Sequence, residues 1–376
     1  MRIGIDAHML CEAVTGIGRY TYEITRRIVN SDSDFFLYFP NAAPTEEWIA
    51  ENICVRSSNF GSRTGKMVWL QTQLPYWANK DNLDVFWGPT HRLPRFLSNK
   101  VARVVTIHDL VWKHAGETMP RINRLAERVL MPDAIRLADR VMADSHSTAN
   151  AIASEFPWVK ERIRVVHLGA TSLPDPKGID ALNDLGIDQP YFLFVGTLEP
   201  RKNLRRLLEA FASLDDVIRK QSLLVIAGGK GWGNVDLVSQ IQLLGLSDSV
   251  RLTGYVSNEQ LSTLYAHARF LAMPSLYEGF GLPLVEAMSF GVPVLTSSCS
   301  SLPEVAGNAG ILVDPFNVNS IASGLLQMLK DNALRSRLSA RAELNASRFS
   351  WEKSAQAAME IFREAICVRN AKLVSK

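Results

Sequence analysis

The stretch Tyr191-Phe192-Leu193-Phe194-Val195-Gly196-Thr197-Leu198-Glu199-Pro200-Arg201-Lys202-Asn203 holds the fold in miniature. Five apolar residues without alternation suit a strand buried on both faces, as in a parallel sheet. A glycine ends the run, and Leu204, Leu207, Leu208 and Phe211 then recur at helical spacing. Strand, loop and helix in that order build an open α/β sheet, which takes ligands at the carboxyl ends of its strands. Arg201 and Lys202 put two cations at such an end, where they could compensate an anion such as a diphosphate. An isolated Arg-Lys pair at a loop tip is also an ordinary solvated pair.

The pattern continues in both directions. Downstream, short apolar runs predict strands over 223–227, 250–253, 270–273, 292–296 and 310–313. Upstream, strands are expected over 2–6, 35–39, 85–87, 101–108, 140–143 and 164–167, with a helix over 16–29. Ile122, Leu125, Ala126, Val129 and Leu130 give one apolar face of a further helix. Thr171-Ser172-Leu173-Pro174-Asp175-Pro176-Lys177-Gly178 is polar and rich in breakers, and it divides the chain into near-equal halves. The expected organisation is a Rossmann-like domain over 1–172, a linker over 173–190 and a second Rossmann-like domain over 191–350, with a cleft between the domains. Trp351, Ala355, Ala358, Met359, Phe362 and Ile366 mark a closing amphipathic helix over 351–376.

Composition sets the outer bounds. The chain has 376 residues, 47% hydrophobic and 21% charged, with a net charge of +3. That excludes a disordered chain, a collagen and a disulfide scaffold, and it is too weakly basic for a dedicated nucleic-acid binder. The length predicts two to three domains. Cys11, Cys54, Cys299 and Cys367 form no CxxC pair, so separate reduced thiols in a cytoplasmic protein are expected. Met1–Asp6 reads as a first strand rather than a signal peptide, and no stretch is apolar for long enough to span a bilayer.

Several further motifs could carry chemistry. In Glu278-Gly279-Phe280-Gly281-Leu282-Pro283-Leu284-Val285-Glu286, two carboxylates stand eight residues apart around a Gly-x-Gly loop. Pro283 suits a first helical turn and Gly291 a helix end, which places Glu278 on the loop and Glu286 in the helix. Such a loop lets a ligand approach the backbone, and carboxylates accept from sugar hydroxyls; a turn with exposed glutamates fits equally well. Thr15-Gly16-Ile17-Gly18-Arg19-Tyr20 holds half of a dinucleotide fingerprint, with Thr21 where the third glycine would stand. His108-Asp109 and Asp144-Ser145 each end a strand, and Ser145 also suits a helix cap. Asp32-Ser33-Asp34 has a spacing that could hold a divalent metal, but its position before a strand favours a solvated turn. Residues 63–77 interleave Arg63 and Lys66 with Met67, Trp69, Leu70, Leu74, Tyr76 and Trp77. Such a segment can lie at a membrane interface; the plainer reading is a helix that packs its tryptophans into the N-terminal core.

In this order, the motifs resemble the retaining glycosyltransferases of family four, which have the GT-B fold. Glu278 and Glu286 look like the family signature, and the loop from Gly196 to Asn203 is similar to its phosphate loop. Further matches are Gly16 to Tyr20, His108-Asp109, Ala227-Gly228-Gly229, Thr253 to Val256, Pro303-Glu304 and Ser350-Trp351-Glu352. The resemblance implies that Glu286 binds the ribose and Glu278 the donor sugar's hydroxyls. Arg201 and Lys202 would neutralise the diphosphate, with Gly196 in the same loop. The backbone of Phe280, Gly281 and Leu282 would touch sugar and phosphate, and Val256 would help hold the base. Gly16 and Gly18 would close over the diphosphate, and His108 would approach the sugar. Some relatives carry a cation directly after the loop glycine; Thr197 stands there in this chain, which throws more of the task onto Arg201 and Lys202. The resemblance also implies a final helix that returns to the N-terminal domain, and no tightly bound cofactor or metal.

The expected reaction is retaining transfer of a hexosyl unit from a nucleotide-diphosphate sugar to a hydroxyl. The two loops look most like those of mannosyltransferases of bacterial surface-polysaccharide assembly. That resemblance implies GDP-mannose as donor and a lipid-linked saccharide as acceptor, at the cytoplasmic face of the membrane. Other readings are a UDP-sugar donor, a nucleotide-sugar epimerase or hydrolase of the same architecture, and a silent sugar-nucleotide-binding protein. A nicotinamide dehydrogenase fits poorly, because the fingerprint is incomplete and no acidic residue follows it at the required distance.

Overall fold

A computed structural model describes residues 1–11, 16–43, 48–233 and 236–374, apart from the side chain of Arg63. Thr15 of the first glycine loop lies outside the described residues, as do the last two positions of the 351–376 segment. Two compact units are present. The first comprises Met1–Leu110, Leu125–Leu168 and Ser350–Lys376; the second comprises Val111–Arg124 and Gly169–Phe349.

The first unit is built on seven parallel strands: β1 (Arg2–Asp6), β2 (Asp34–Phe39), β3 (Ile53–Ser57), β4 (Val85–Gly88), β5 (Ala102–Ile107), β6 (Arg140–Ala143) and β7 (Ile163–Val165). Their order across the sheet is β3-β2-β1-β4-β5-β6-β7. Ile3 pairs with Phe35 on one side and Val85 on the other, so β1 lies inside the sheet, with Ile3 to Asp6 buried on both faces. β3 was not expected. It is an edge strand, only half-buried, and its short sequence carries too little pattern to stand out.

The Trp351–Val374 helix belongs to this unit, as the resemblance implied. Its apolar stripe buries Trp351 against Tyr20 and Phe362 against Trp87, with ring centroids 6.3 and 5.8 Å apart. Its polar side is fixed by charge: Asp139, fully buried, accepts from Arg369 at 2.6 Å and Lys372 at 3.0 Å.

Of two helical regions in the first half, one bears out the plainer expectation and one departs from it. Residues 63–77 form two helices, Arg63–Gln71 and Gln73–Lys80. Trp69 is buried and Trp77 half-buried, whereas Met67, Val68 and Tyr76 face outward. The tryptophans thus serve the core, and any contact with a membrane falls to other side chains. The Arg121–Leu137 helix exists, but its apolar stripe points the other way. Ile122, Leu125 and Val129 are exposed by 79%, 62% and 58%. The buried side chains are Met131, Ala134 and Ile135, on the opposite side and in the second half of the helix. Periodicity finds an apolar face without saying which way it turns.

The second unit has six parallel strands: β8 (Tyr191–Val195), β9 (Leu223–Ala227), β10 (Val250–Gly254), β11 (Leu271–Met273), β12 (Val294–Ser297) and β13 (Gly310–Val313). Their order is β10-β9-β8-β11-β12-β13. Relative to its own first strand, each sheet runs third, second, first, fourth, fifth, sixth, and the first sheet adds a seventh. This is the doubly wound order, and it reverses beside the first strand, at β1/β4 and β8/β11. Ligands of such sheets bind outside the carboxyl ends of the strands at that reversal.

Candidate functional site

At the reversal of the second sheet, β8 is followed by Gly196 and β9 by Gly228. Both have positive φ, and a Cβ on Gly228 would fall 2.0 Å from the Gly196 carbonyl oxygen. Only glycine permits this backbone-to-backbone approach. The chain then makes a short turn over Pro200–Lys202 and enters the Leu204–Ala212 helix through Asn203, at φ +61°. The Asn203 amide donates to the carbonyls of Pro274 and Pro315, at 2.9 and 2.7 Å, and the Leu276 N–H donates to the Arg201 carbonyl at 2.8 Å. The loops after β8 and β11 are thereby pinned together.

That pinning brings four charges into one cluster. Glu278 is buried, and its two carboxylate oxygens accept from different cations: Lys202 Nζ at 2.7 Å and Arg201 at 2.5 Å. Arg201 also donates to Glu199 at 2.9 Å and to the Tyr277 carbonyl at 3.2 Å. Burial disfavours the charged form of Glu278, but Arg201 and Lys202 outweigh it and hold the carboxyl down to about 2. Burial pushes the Lys202 ammonium below its ordinary value, against the pull of Glu278. Burial also raises Glu199, with Arg201 and Lys202 opposing. The cations expected at the diphosphate are therefore partners of the signature carboxylate, Lys202 buried and Arg201 half-buried, rather than a solvated pair.

The signature continues as the sequence suggested. Glu278 lies on a loop, Gly281 caps the Leu282–Ser289 helix at φ +106°, and Pro283 lies in its first turn. Ser301 Oγ donates to the carbonyls of Glu278 and Phe280, at 3.0 and 2.7 Å, and the Phe280 ring is edge-on to Phe349. Glu286 is buried inside the helix. Its carboxylate accepts from Tyr265 at 2.9 Å and from Thr171, the first residue of the breaker-rich stretch. Neither partner was anticipated, since both lie far away in sequence. Val256 is half-buried, just before Ser257, which caps the Asn258–His267 helix.

The first unit holds the other candidates. Gly16 opens the Gly16–Ile28 helix and is exposed, while Gly18 is buried. His108 follows β5 and is buried. Its Nδ1 lies 2.7 Å from Asp144 and its Nε2 2.7 Å from the Pro89 carbonyl, so both nitrogens meet acceptors. Burial alone would lower its pKa; Asp144 and Pro89 prevail and raise it. The His108 N–H donates to His91 Nε2 at 2.9 Å, and His91 has φ +61°. Ser145 caps the next helix, accepting from the Thr148 N–H at 3.0 Å. Asp32 is an exposed turn residue and Asp34 opens β2, so this pair bounds a turn.

Residues 14–171 match the glycosyltransferase family 4 description, and residues 181–345 match glycosyl transferases group 1. The O-antigen chain mannosyltransferase B of Escherichia coli is 32% identical over 361 residues, which span 90% of this chain and 93% of that one. The chain belongs to glycosyltransferase family 4. A D-inositol 3-phosphate glycosyltransferase of Streptomyces bingchenggensis is 30% identical over 278 residues, 67% of this chain and 61% of the relative. Among solved structures, sucrose-phosphate synthase from Thermosynechococcus elongatus superposes with a TM-score of 0.77 at 20% identity, covering 98% of this chain and 99% of that one. The two-sheet GT-B fold is thus that of the family. Among the described residues no helix is long and apolar enough to cross a membrane.

Proposed function

We infer that this glycosyltransferase moves a mannosyl unit from GDP-mannose, with retention, to a hydroxyl of a lipid-linked saccharide at the cytoplasmic face of the membrane. The observation that carries the reading is the buried cluster of Arg201, Lys202 and Glu278 at the reversal of the second sheet. Similarity over nearly the whole chain to an O-antigen chain mannosyltransferase favours mannose and a polysaccharide acceptor.

In this reading the bond from the anomeric carbon to the diphosphate oxygen breaks with oxocarbenium character. Negative charge gathers on the leaving diphosphate, where Arg201 and Lys202 stabilise it in a site of low dielectric. Glu278 orients both cations and receives sugar hydroxyls, and Glu286 receives the ribose hydroxyls. A covalent glycosyl-enzyme would need a carboxylate open to the anomeric carbon. Both oxygens of Glu278 already accept from cations, and Glu286 accepts from Thr171 and Tyr265, so a phosphate oxygen is the better base for the acceptor proton.

The test measures nucleotide release from GDP-mannose, UDP-glucose and other donors, with and without a lipid-linked oligosaccharide, and reads the anomeric configuration of the product by NMR. Acceptor-dependent release of GDP with an α-linked product supports the reading. Release from UDP-sugars alone, an isomerised sugar without acceptor, or a β-linked product overturns it.

A further inference from the structure

The main-chain ladder between β11 and β12 ends at Met273 and Thr296. Beyond it, side chains that follow β12 take over the pairing with the loop that carries the signature. Thr296 Oγ1 donates to the Met273 carbonyl at 2.8 Å, Ser297 Oγ to the Ser275 carbonyl at 2.6 Å and Cys299 Sγ to the Leu276 carbonyl at 3.4 Å. Ser301 Oγ continues the series to the carbonyls of Glu278 and Phe280. Peptide groups shut away from water need partners, and here side chains supply them. Ser298 is the exposed member of this segment.

Ser300 departs from its neighbours in two ways. They bond carbonyls, whereas its Oγ accepts the Glu278 N–H at 3.2 Å. Its backbone is also left-handed, with φ +56°. The other non-glycine residues at positive φ among the described ones are Asn82, His91 and Asn203, types that enter this region more readily than serine. Glycine would take up the same backbone without strain. What serine adds over glycine at this position is an oxygen, and that oxygen lies on Glu278. Strain of this kind persists where the surroundings over-determine it, and it gathers at functional sites.

We propose that Ser300 is a positioning residue for the transfer reaction: its hydroxyl, presented by the left-handed backbone, fixes the Glu278 main chain so that the Glu278 carboxylate meets Lys202 and Arg201 together. Every polar group of Glu278 is then held. Ser300 takes its N–H, Ser301 its carbonyl, and Lys202 and Arg201 its two carboxylate oxygens. Two of those holds come from successive residues of one loop, so a shift of the peptide would carry the carboxylate away from its cations. Ser300 acts through Glu278 and touches no reacting group itself. The proposal rests on the reading in which Arg201, Lys202 and Glu278 serve the donor's diphosphate and sugar.

Two variants of the whole chain separate the oxygen from the backbone. Ser300→Ala removes the oxygen and leaves a Cβ at positive φ; Ser300→Gly removes the oxygen and the Cβ. The urea midpoint should therefore be higher for Ser300→Gly than for Ser300→Ala. Activity should follow the oxygen instead: kcat, measured as nucleotide release with a lipid-linked oligosaccharide present, should fall about ten- to a hundredfold in both. Ser298→Ala, at the exposed neighbour, should match the wild type. The pH profile supplies a readout that a change in stability alone would not move. Lys202 faces Glu278, Arg201 and Glu199; burial and Arg201 lower its pKa, and the two carboxylates raise it. With Glu278 displaced, the ammonium loses its proton more readily, so the alkaline limb of kcat/KM should move to lower pH in both variants. Wild-type kcat in Ser300→Gly, or a slowed enzyme whose alkaline limb stays in place, would overturn the proposal. Every measurement uses the donor that the wild type turns over fastest. If that donor is a UDP-sugar, the GDP-mannose reading fails, and the same comparison still decides for or against Ser300.

Discussion

Where β8 ends, two cations meet two carboxylates; where β5 ends, a histidine meets one carboxylate and a carbonyl. The two sheets share one strand order, so the backbone offers the same kind of place twice and the side chains distinguish them. The second unit furnishes its place with buried fixed charge, which suits a ligand that carries charge and develops more. The first unit furnishes its place with a single buried histidine held by Asp144 and the Pro89 carbonyl, which suits orientation of an uncharged hydroxyl-bearing ligand. Equivalent positions in a repeated architecture can thus be specialised without altering the scaffold.

The sharpest way to break this contrast is to remove charge from the second unit alone. Lys202→Ala should lower kcat by about 10²–10³, the cost of one donor aimed at developing charge, measured as GDP release with acceptor present. His108→Gln should lower turnover while leaving GDP affinity by calorimetry at the wild-type value. Equal loss of GDP affinity in both variants would erase the division of labour. A smaller effect is expected for Glu286→Ala. Losing hydrogen bonds to a charged carboxylate costs about 1.5–3 kcal/mol, so GDP should bind roughly ten- to a hundredfold more weakly, with turnover at saturation little changed.

The smallest effect concerns pH. His108 has a raised pKa in the folded state, so its ionised pair with Asp144 stabilises below the ordinary histidine value of about 6.5 and is lost as pH rises through the folded value. Glu278 behaves oppositely: its contribution is present above the ordinary carboxylate range and lost only as pH falls toward about 2. Asp144→Asn should therefore shift urea midpoints most at mildly acidic pH, with the gap to wild type narrowing above neutrality. The His108 ring resonances in NMR should titrate at lower pH in the variant. A pH-independent gap would separate His108 from this stabilisation.

Much of the fold was legible because it is written locally. Buried strands are unbroken apolar runs, and Gly196, Gly281 and Pro283 mark turns that only such residues make readily. The positions of Glu278 and Glu286 on loop and helix followed from the same local rules. The partners of those carboxylates did not. Thr171 and Tyr265 reach Glu286 only through tertiary packing, and nothing near either residue announces a carboxylate. The outward turn of Leu125 and Val129 was equally hidden, because a periodic stripe is the same whether it meets a core or a solvent boundary. Trp69 shows the converse: of the two readings open to its segment, the plainer one, a ring in the N-terminal core, is the one the structure bears out.

The returning helix has a consequence for synthesis. Trp351 and Phe362 close the hydrophobic interior begun by Tyr20 and Trp87, yet they are translated after the whole second sheet. On the ribosome the earlier sheet must wait, its aromatic side uncovered, while the later one can complete itself first. The usual N-to-C order of domain folding is inverted, and the unit made first is the last to be finished.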